Sequence, residues 1–151
     1  MKVIDNLLEE KQVLEIEQEL MKDTFPWYYQ NCVAYKSDFT HMFYLNGEQS
    51  RYFNLIIPIL KKIKFKKLIR VKGNLYPNIN KVIEHPKHVD FNYTTKGALF
   101  YLNTNNGPTN VGNKKIESVR NRLLLFNASK EHNSITCTDA KIRLNININY
   151  L

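Results

Sequence analysis

Near its C-terminal end the chain carries the pattern that most restricts what it can fold into. From Ile142 to Tyr150 apolar and polar side chains alternate without a break: Ile142, Leu144, Ile146, Ile148 and Tyr150 on one parity, Arg143, Asn145, Asn147 and Asn149 on the other. Residues two apart share a face of an extended strand, so the run predicts a strand with two unlike faces. One face must pack on apolar material; the other meets either water or a polar cavity. Taken alone, the strand leaves that choice open.

Shorter runs of similar texture fill the second half. Leu68–Val71, Leu99–Leu102, Leu123–Phe126 and Ile135–Cys137 are separated by turn residues, which predicts many short strands at close spacing. The front reads differently. Leu7, Leu8, Val13, Leu14, Ile16, Leu20 and Met21 are interleaved with Glu9, Glu10, Lys11, Glu17 and Glu19, the signature of an amphipathic helix ending near Asp23. Phe53, Ile56, Ile57, Leu60 and Ile63 make a second helical stripe, and Pro58 inside it means that the helix begins near Ile57 or kinks there. Between them, Pro26 keeps the aromatic patch Phe25-Pro26-Trp27-Tyr28-Tyr29 out of the first helix. The patch reads as cover for the flank of the β structure in preference to a substrate groove. The expectation is one α+β, mainly β domain over 1–151, with a helical front of about 1–66 and a sandwich or barrel over about 67–151.

Composition removes several function classes. Hydrophobic residues make up 43% and charged residues 24% of the 151, a globular balance and not a disordered one. No apolar run approaches the roughly 18 residues of a membrane span, and acidic residues stand where a signal peptide would be apolar. Cys32 and Cys137 are far apart and belong to no CxxC pair. A disulfide framework and a zinc finger are therefore excluded, and two idle thiols in a reducing cytoplasm are expected (the host cytoplasm for a viral protein). The net charge is +8, yet 17 of the 22 basic residues are Lys, whereas phosphate and base readers lean on Arg. Asn, Lys and Ile supply 50 of 151 residues; their codons are AT-rich, so an AT-rich genome, viral or marine bacterial, accounts for the bias. The basic run Lys61, Lys62, Lys64, Lys66, Lys67, Arg70 and Lys72 is read as a solvated surface at a helix end.

Chemistry concentrates in His85-Pro86-Lys87-His88-Val89-Asp90. In extended chain His88 and Asp90 point to one side and can close on one ion. His132 follows later, just beyond the run Leu123–Phe126. Two imidazoles and a carboxylate that leave the rest of a metal's coordination open form the facial triad of non-haem iron(II) oxygenases. His85 lies three residues before His88 and so on the opposite face, next to a proline; it reads as a loop residue. His41, among aromatics, reads as a packed histidine.

An ordered set of pieces raises the HxD tripeptide above chance: Asn74-Leu75-Tyr76-Pro77, His88-Val89-Asp90, Phe100-Tyr101-Leu102-Asn103, Asn106-Gly107-Pro108-Thr109, His132, then Arg143. In that order the chain resembles the 2-oxoglutarate- and iron(II)-dependent oxygenases, in their prolyl 4-hydroxylase-like branch, over roughly residues 68–151. The resemblance implies a double-stranded β-helix, a cupin-like jelly roll flanked by the N-terminal helices. It implies that His88, Asp90 and His132 hold Fe(II), that 2-oxoglutarate chelates the metal, and that Arg143 pairs with its far carboxylate. Tyr76 and Tyr101 fall where hydroxyls contact the oxoacid. The implied reaction is hydroxylation of a C–H bond with O2, releasing succinate and CO2; ascorbate is admitted as an accessory. A peptide or protein residue is the first substrate expected and a nucleic acid the second, with no membrane partner. The rival is a catalytically inactive β-sandwich binding module. The oxygenase reading carries a geometric demand: Arg143 must face into the barrel with Asn145, Asn147 and Asn149, while the apolar row packs outward on the helices.

Overall fold

The computed structural model describes residues 1–30 and 38–151. Cys32 lies outside the described residues; Cys137 is a buried free thiol. Along the chain run β1 (Lys2–Ile4), α1 (Glu10–Leu20), β2 (Tyr28–Gln30), β3 (Asp38–Leu45), β4 (Glu48–Gln49), a 3-10 turn (Phe53–Ile56), α2 (Ile57–Leu60), β5 (Leu68–Pro77), β6 (Lys96–Tyr101), β7 (Asn105–Val111), β8 (Lys114–Ser118), β9 (Arg122–Asn127), β10 (His132–Ser134) and β11 (Ile142–Tyr150). The larger sheet has the order β1-β9-β6-β11-β5-β3-β2, with β4 added on β3, and the smaller the order β10-β7-β8. All pairings are antiparallel. This is the jelly-roll arrangement of a double-stranded β-helix.

The terminal strand occupies the middle of the larger sheet, paired along its length with β5 and over most of it with β6. Its apolar row meets the helices. Leu144, Ile146, Ile148 and Tyr150 belong to one buried cluster with Val13, Ile16 and Leu20 of α1 and Ile59 and Leu60 of α2. A second, smaller cluster of Leu99, Tyr101, Ile116, Leu124 and Phe126 forms on the inner side, between the two sheets. The larger sheet is thus buried on both faces, apolar without and mixed within.

The front of the chain is not chiefly helical. β1, β2, β3 and β4 all fall within it, and β3 is an interior strand of the larger sheet. Asp38-Phe39-Thr40-His41-Met42-Phe43 has only a loose alternation, and its extended form is dictated by pairing with β5, a long-range term that no local window registers. The second helical stripe is only a 3-10 turn leading into a short α2 with Pro58 in its first turn. Ile135–Cys137 is not a strand; Ile135 makes a single bridge to Glu84. Only the first part of the aromatic patch covers the flank: Phe25 is buried, and the Trp27 indole N–H donates to Leu20 O at 2.9 Å, whereas Tyr28 and Tyr29 are exposed on β2. His41 is packed as expected, with Nδ1 2.9 Å from Pro26 O and Nε2 3.1 Å from Ser50 Oγ.

Because Ile146 is fully buried between sheet and helices, Ile146→Ala should destabilise the fold by about 2–5 kcal/mol. Urea unfolding monitored by circular dichroism checks this.

Candidate active site

Register on β11 and β5 builds the site before any side chain is considered. Arg143 stands opposite Tyr76, Asn145 opposite Asn74, Asn147 opposite Lys72 and Asn149 opposite Arg70. Paired residues share a face, so eight polar side chains line one surface of two neighbouring strands. That surface points between the sheets. Arg143 is 1% exposed, Asn145 1% and Asn149 0%, so the asparagine row faces inward, not toward open solvent. A cavity of about 70 Å³ lies there, lined by residues that include His88, Asp90, His132, Arg143, Asn145 and Tyr76.

His88, Asp90 and His132 are brought together from two segments. His88 and His132 form an isolated antiparallel bridge, with reciprocal backbone hydrogen bonds of 3.0 Å. One ligand atom from each of the three lies within 4.8 Å of the others, and His132 Nε2 is 3.7 Å from Asp90 Oδ2. His132 Nδ1 donates to Lys130 O at 2.8 Å. A carbonyl can only accept, so this bond places the proton on Nδ1 and leaves the Nε2 lone pair for an ion. His88 Nδ1 leans the same way on Pro86 O, at 3.4 Å. Burial, and then the neighbouring His132, lower the His88 pKa from its ordinary 6.5, which favours the neutral ligating form.

Asp90 is held by a clamp. Its Oδ1 accepts from Arg70 Nη2 at 2.8 Å, and its Oδ2 accepts from Asn149 Nδ2 at 2.9 Å and, more weakly, from Asn147 Nδ2 at 3.4 Å. Arg70 Nε also donates to Asn149 Oδ1 at 3.0 Å, tying the clamp's two arms together. Burial works to raise the Asp90 pKa, but the Arg70 charge and the amide donors outweigh it and the net shift is downward. Arg70 is therefore no part of a solvated basic run.

At the other end of the cavity, Arg143 Nε donates to Gly107 O at 2.9 Å and Nη2 to Thr109 Oγ1 at 2.8 Å. Its guanidinium carbon sits 5.4 Å from the centre of the Tyr76 ring. A Cβ on Gly107 would stand 2.6 Å from Ile135 O and 3.0 Å from Arg143 Cδ, so the close approach of β7 to Arg143 requires glycine. Among the described residues Arg143 forms no ion pair with a carboxylate. The Tyr101 hydroxyl and Asn145 Nδ2 are buried without a hydrogen-bond partner; Tyr101, whose pKa burial raises, belongs to the inner apolar cluster and is not among the residues that line the cavity. Burial pushes the Tyr76 hydroxyl up to about 12. A buried cation without a counter-charge, in a cavity that also holds an idle amide donor, is the complement of a carboxylate. Two imidazoles and a carboxylate with an open side suit Fe(II). These residues therefore fit both groups, the metal at one end and the oxoacid's far carboxylate at the other.

Several lining residues differ from the sequence reading. His85 is not a loop residue facing away: it is 4% exposed, its Nδ1 lies 2.8 Å from Ser134 Oγ, and its ring packs 5.6 Å from that of Tyr76. The segment 81–90 is extended but outside any ladder, so strict strand parity does not apply between His85 and His88. Asp38 and Lys72 also line the cavity. Burial pushes the Asp38 carboxyl up to about 7 against the pull of Lys72 and Arg143. Burial and the Arg70 charge bring Lys72 down to about 8. The signal for Arg70 and Lys72 was present in Arg70, Lys72, Asn74 and Tyr76, which alternate with Ile69, Val71, Gly73 and Leu75, a period-two match to β11.

No family model matches the sequence. No curated protein matches it either. Solved structures do. A prolyl hydroxylase from Trichoplax adhaerens, in complex with a peptide fragment of the hypoxia inducible factor oxygen degradation domain, is 16% identical with a TM-score of 0.74, over 99% of this chain and 82% of that one. The epimerase SnoN of nogalamycin biosynthesis, a non-haem alpha-ketoglutarate-dependent enzyme, is 14% identical with a TM-score of 0.71, over 99% and 76%. The viral collagen prolyl hydroxylase of Paramecium Bursaria Chlorella virus-1 is 13% identical with a TM-score of 0.63, over 99% and 96%. The chain has the fold of the 2-oxoglutarate- and iron(II)-dependent oxygenases, and among them it is similar to prolyl hydroxylases.

Two measurements test the site. Arg70→Met should leave Asp90 unanchored and weaken Fe(II) binding by about 10–100-fold, the usual cost of losing a partner behind a ligand; calorimetric titration under anaerobic conditions reads it. His41, His85 and His88 all have pKa values lowered by burial. In an Asp38→Asn background, which removes the raised carboxyl that acts in the opposite sense, the unfolded chain binds protons first as pH falls below 6.5, so metal-free stability should decline as pH falls below that value. Urea midpoints between pH 8 and about 5, taken in chelator, check the sign.

Proposed function

We propose that the protein is an Fe(II)- and 2-oxoglutarate-dependent dioxygenase that hydroxylates a C–H bond of a peptide or protein residue. One observation carries the reading. The three ligand atoms of His88, Asp90 and His132 and the unpaired, buried Arg143 open onto the same cavity. The fold alone would not carry it, since a fold hosts many chemistries, as the SnoN epimerase illustrates. An inactive binding module would have to bury an arginine without a counter-charge, at a cost of several kcal/mol.

The roles follow from position. His88, Asp90 and His132 would hold the iron, and the Arg70–Asn149 clamp would keep Asp90 from rotating away. Arg143, fixed by Gly107 O and Thr109, would receive the oxoacid's far carboxylate, with Tyr76 against its guanidinium and the Asn145 amide as an idle donor nearby. When bound, iron and oxoacid supply the oxidising chemistry, with the oxoacid leaving as succinate and CO2. Leu99 and Phe126 line the same cavity and would keep bulk water from the reacting centre. The peptide preference follows the prolyl hydroxylase neighbours, one of which was solved with a peptide.

Anaerobic addition of Fe(II) and 2-oxoglutarate should give a weak visible charge-transfer band, and aerobic incubation should release succinate. His88→Ala should abolish both while the protein stays folded, because His88 is exposed. Asp90→Ala is a poorer test: it leaves Arg70 without a counter-charge and should destabilise the fold as well. Arg143→Met should raise half-saturating oxoacid by about 100-fold, from the roughly 3 kcal/mol of a lost charge-assisted bond, with iron binding retained. Absence of the band in the wild-type protein would leave the binding-module reading standing.

A further inference from the structure

The cavity is too small to hold the substrate as well. It is a narrow space of about 70 Å³, which an ion and an oxoacid would occupy. The molecule to be oxidised must lie outside and send in only its reacting group. One groove meets the cavity at its rim. Tyr28, Gln30, Thr40, Met42, Arg70 and Lys72 line a hollow of about 450 Å³ over β2, β3 and β5, and Lys72 lines both spaces. Thr40 pairs with Tyr28 and with Asn74, and Met42 pairs with Lys72. The groove is therefore the cavity's own polar surface, continued past the barrel onto the edge of the larger sheet.

The charges on that surface are unevenly committed. Arg70 is engaged by Asp90 and Asn149. Lys72 forms no ion pair among the described residues, and neither does Asp38, which is 5% exposed and lines the cavity side. Of the two carboxyls that pull on Lys72, Asp90 is already held by Arg70, and burial raises the pKa of Asp38. Lys72 is then a half-buried ammonium between the iron ligands and the groove, with exposed Tyr28 and Met42 beside it. An anion arriving there would offset the desolvation that Lys72 has already undergone.

We propose that Lys72 is the residue that selects the substrate, and that the substrate is an acidic peptide: a carboxylate side chain closes on Lys72 Nζ while the peptide lies over β2 and β3 along Tyr28 and Met42. The inference rests on the oxygenase reading and adds the substrate's charge to it. The net charge of +8 acts in the same direction by drawing acidic chains to the surface.

The test uses the full chain with Fe(II) and 2-oxoglutarate, and synthetic peptide pools that share a randomised central position but carry Glu, Gln or Lys at fixed flanking positions. Succinate release should be at least about tenfold faster with the Glu pool than with the Lys pool, equivalent to 1.4 kcal/mol. Lys72→Met should flatten that preference and Lys72→Glu should invert it, with the charge-transfer band persisting in both as proof of a folded, loaded site. Equal rates with all pools in the wild type would overturn the inference, as would a preference that survives both variants. A rise confined to half-saturating oxoacid in Lys72→Met would assign Lys72 to the oxoacid and overturn it too. Succinate release driven by single-stranded oligonucleotides and by no pool would transfer the groove to nucleic acid. If the wild type gives no charge-transfer band, the oxygenase reading falls first, which separates that failure from failure of the peptide assignment.

Discussion

A strand that is apolar on one face and amide-rich on the other can be buried only between two different environments. In this protein β11 meets that constraint in the middle of the larger sheet. Its isoleucines close the core against α1 and α2, and its arginine and asparagines roof the cavity. Each polar residue of β11 is matched in register by one on β5, so most of the row finds partners: Asn145 with Asn74, Asn149 with Arg70 and Asp90. The idle atoms of the lining, Asn133 Oδ1, Asn145 Nδ2 and Asn147 Oδ1, border the space where the oxoacid and iron would sit. Buried polar groups left without partners are costly, and their clustering in one place is what separates a site from a packing defect.

The two ends of the cavity are built on different principles. Arg143 is immobilised by its own protein, through a backbone carbonyl of a glycine that admits no side chain and a threonine hydroxyl. Its charge is left for a ligand. Asp90, by contrast, is neutralised in advance by Arg70, which weakens it as a donor while fixing its orientation. The orientation so fixed would count for more in iron binding than the charge drawn off, because a pre-placed ligand spends less entropy on binding.

Charge placement follows strand geometry and not composition. The basic run from Lys61 to Lys72 begins on the surface and ends in the cavity, because strand β5 starts at Leu68 and sends alternate residues inward. Composition treats those lysines and arginines alike. Position gives Arg70 to the Asp90 carboxylate and Lys72 to the place where cavity and groove meet.

The alternation of β11 and the His88-Val89-Asp90 spacing were legible in the sequence, because each rests on periodicity or on spacing within a short window; His132 and Arg143 joined them only through the resemblance of the ordered pieces, and the structure brings all four to one cavity. The inward direction of the asparagines also followed once Arg143 was read as an anchor, since parity ties the four residues together. What lay outside the sequence was anything decided by a distant partner. β3 is extended because β5 pairs with it, and β7 and β8 are strands although Asn, Gly and Lys dominate them. His85 reaches the cavity because its segment runs beside Ser134 rather than within a ladder. Asp38 and Lys72 came to share one space only when two strands far apart in sequence were laid side by side. Local pattern determines which face a residue takes; tertiary pairing alone determines what that face looks at, because the energy that settles it comes from contacts the local chain does not contain.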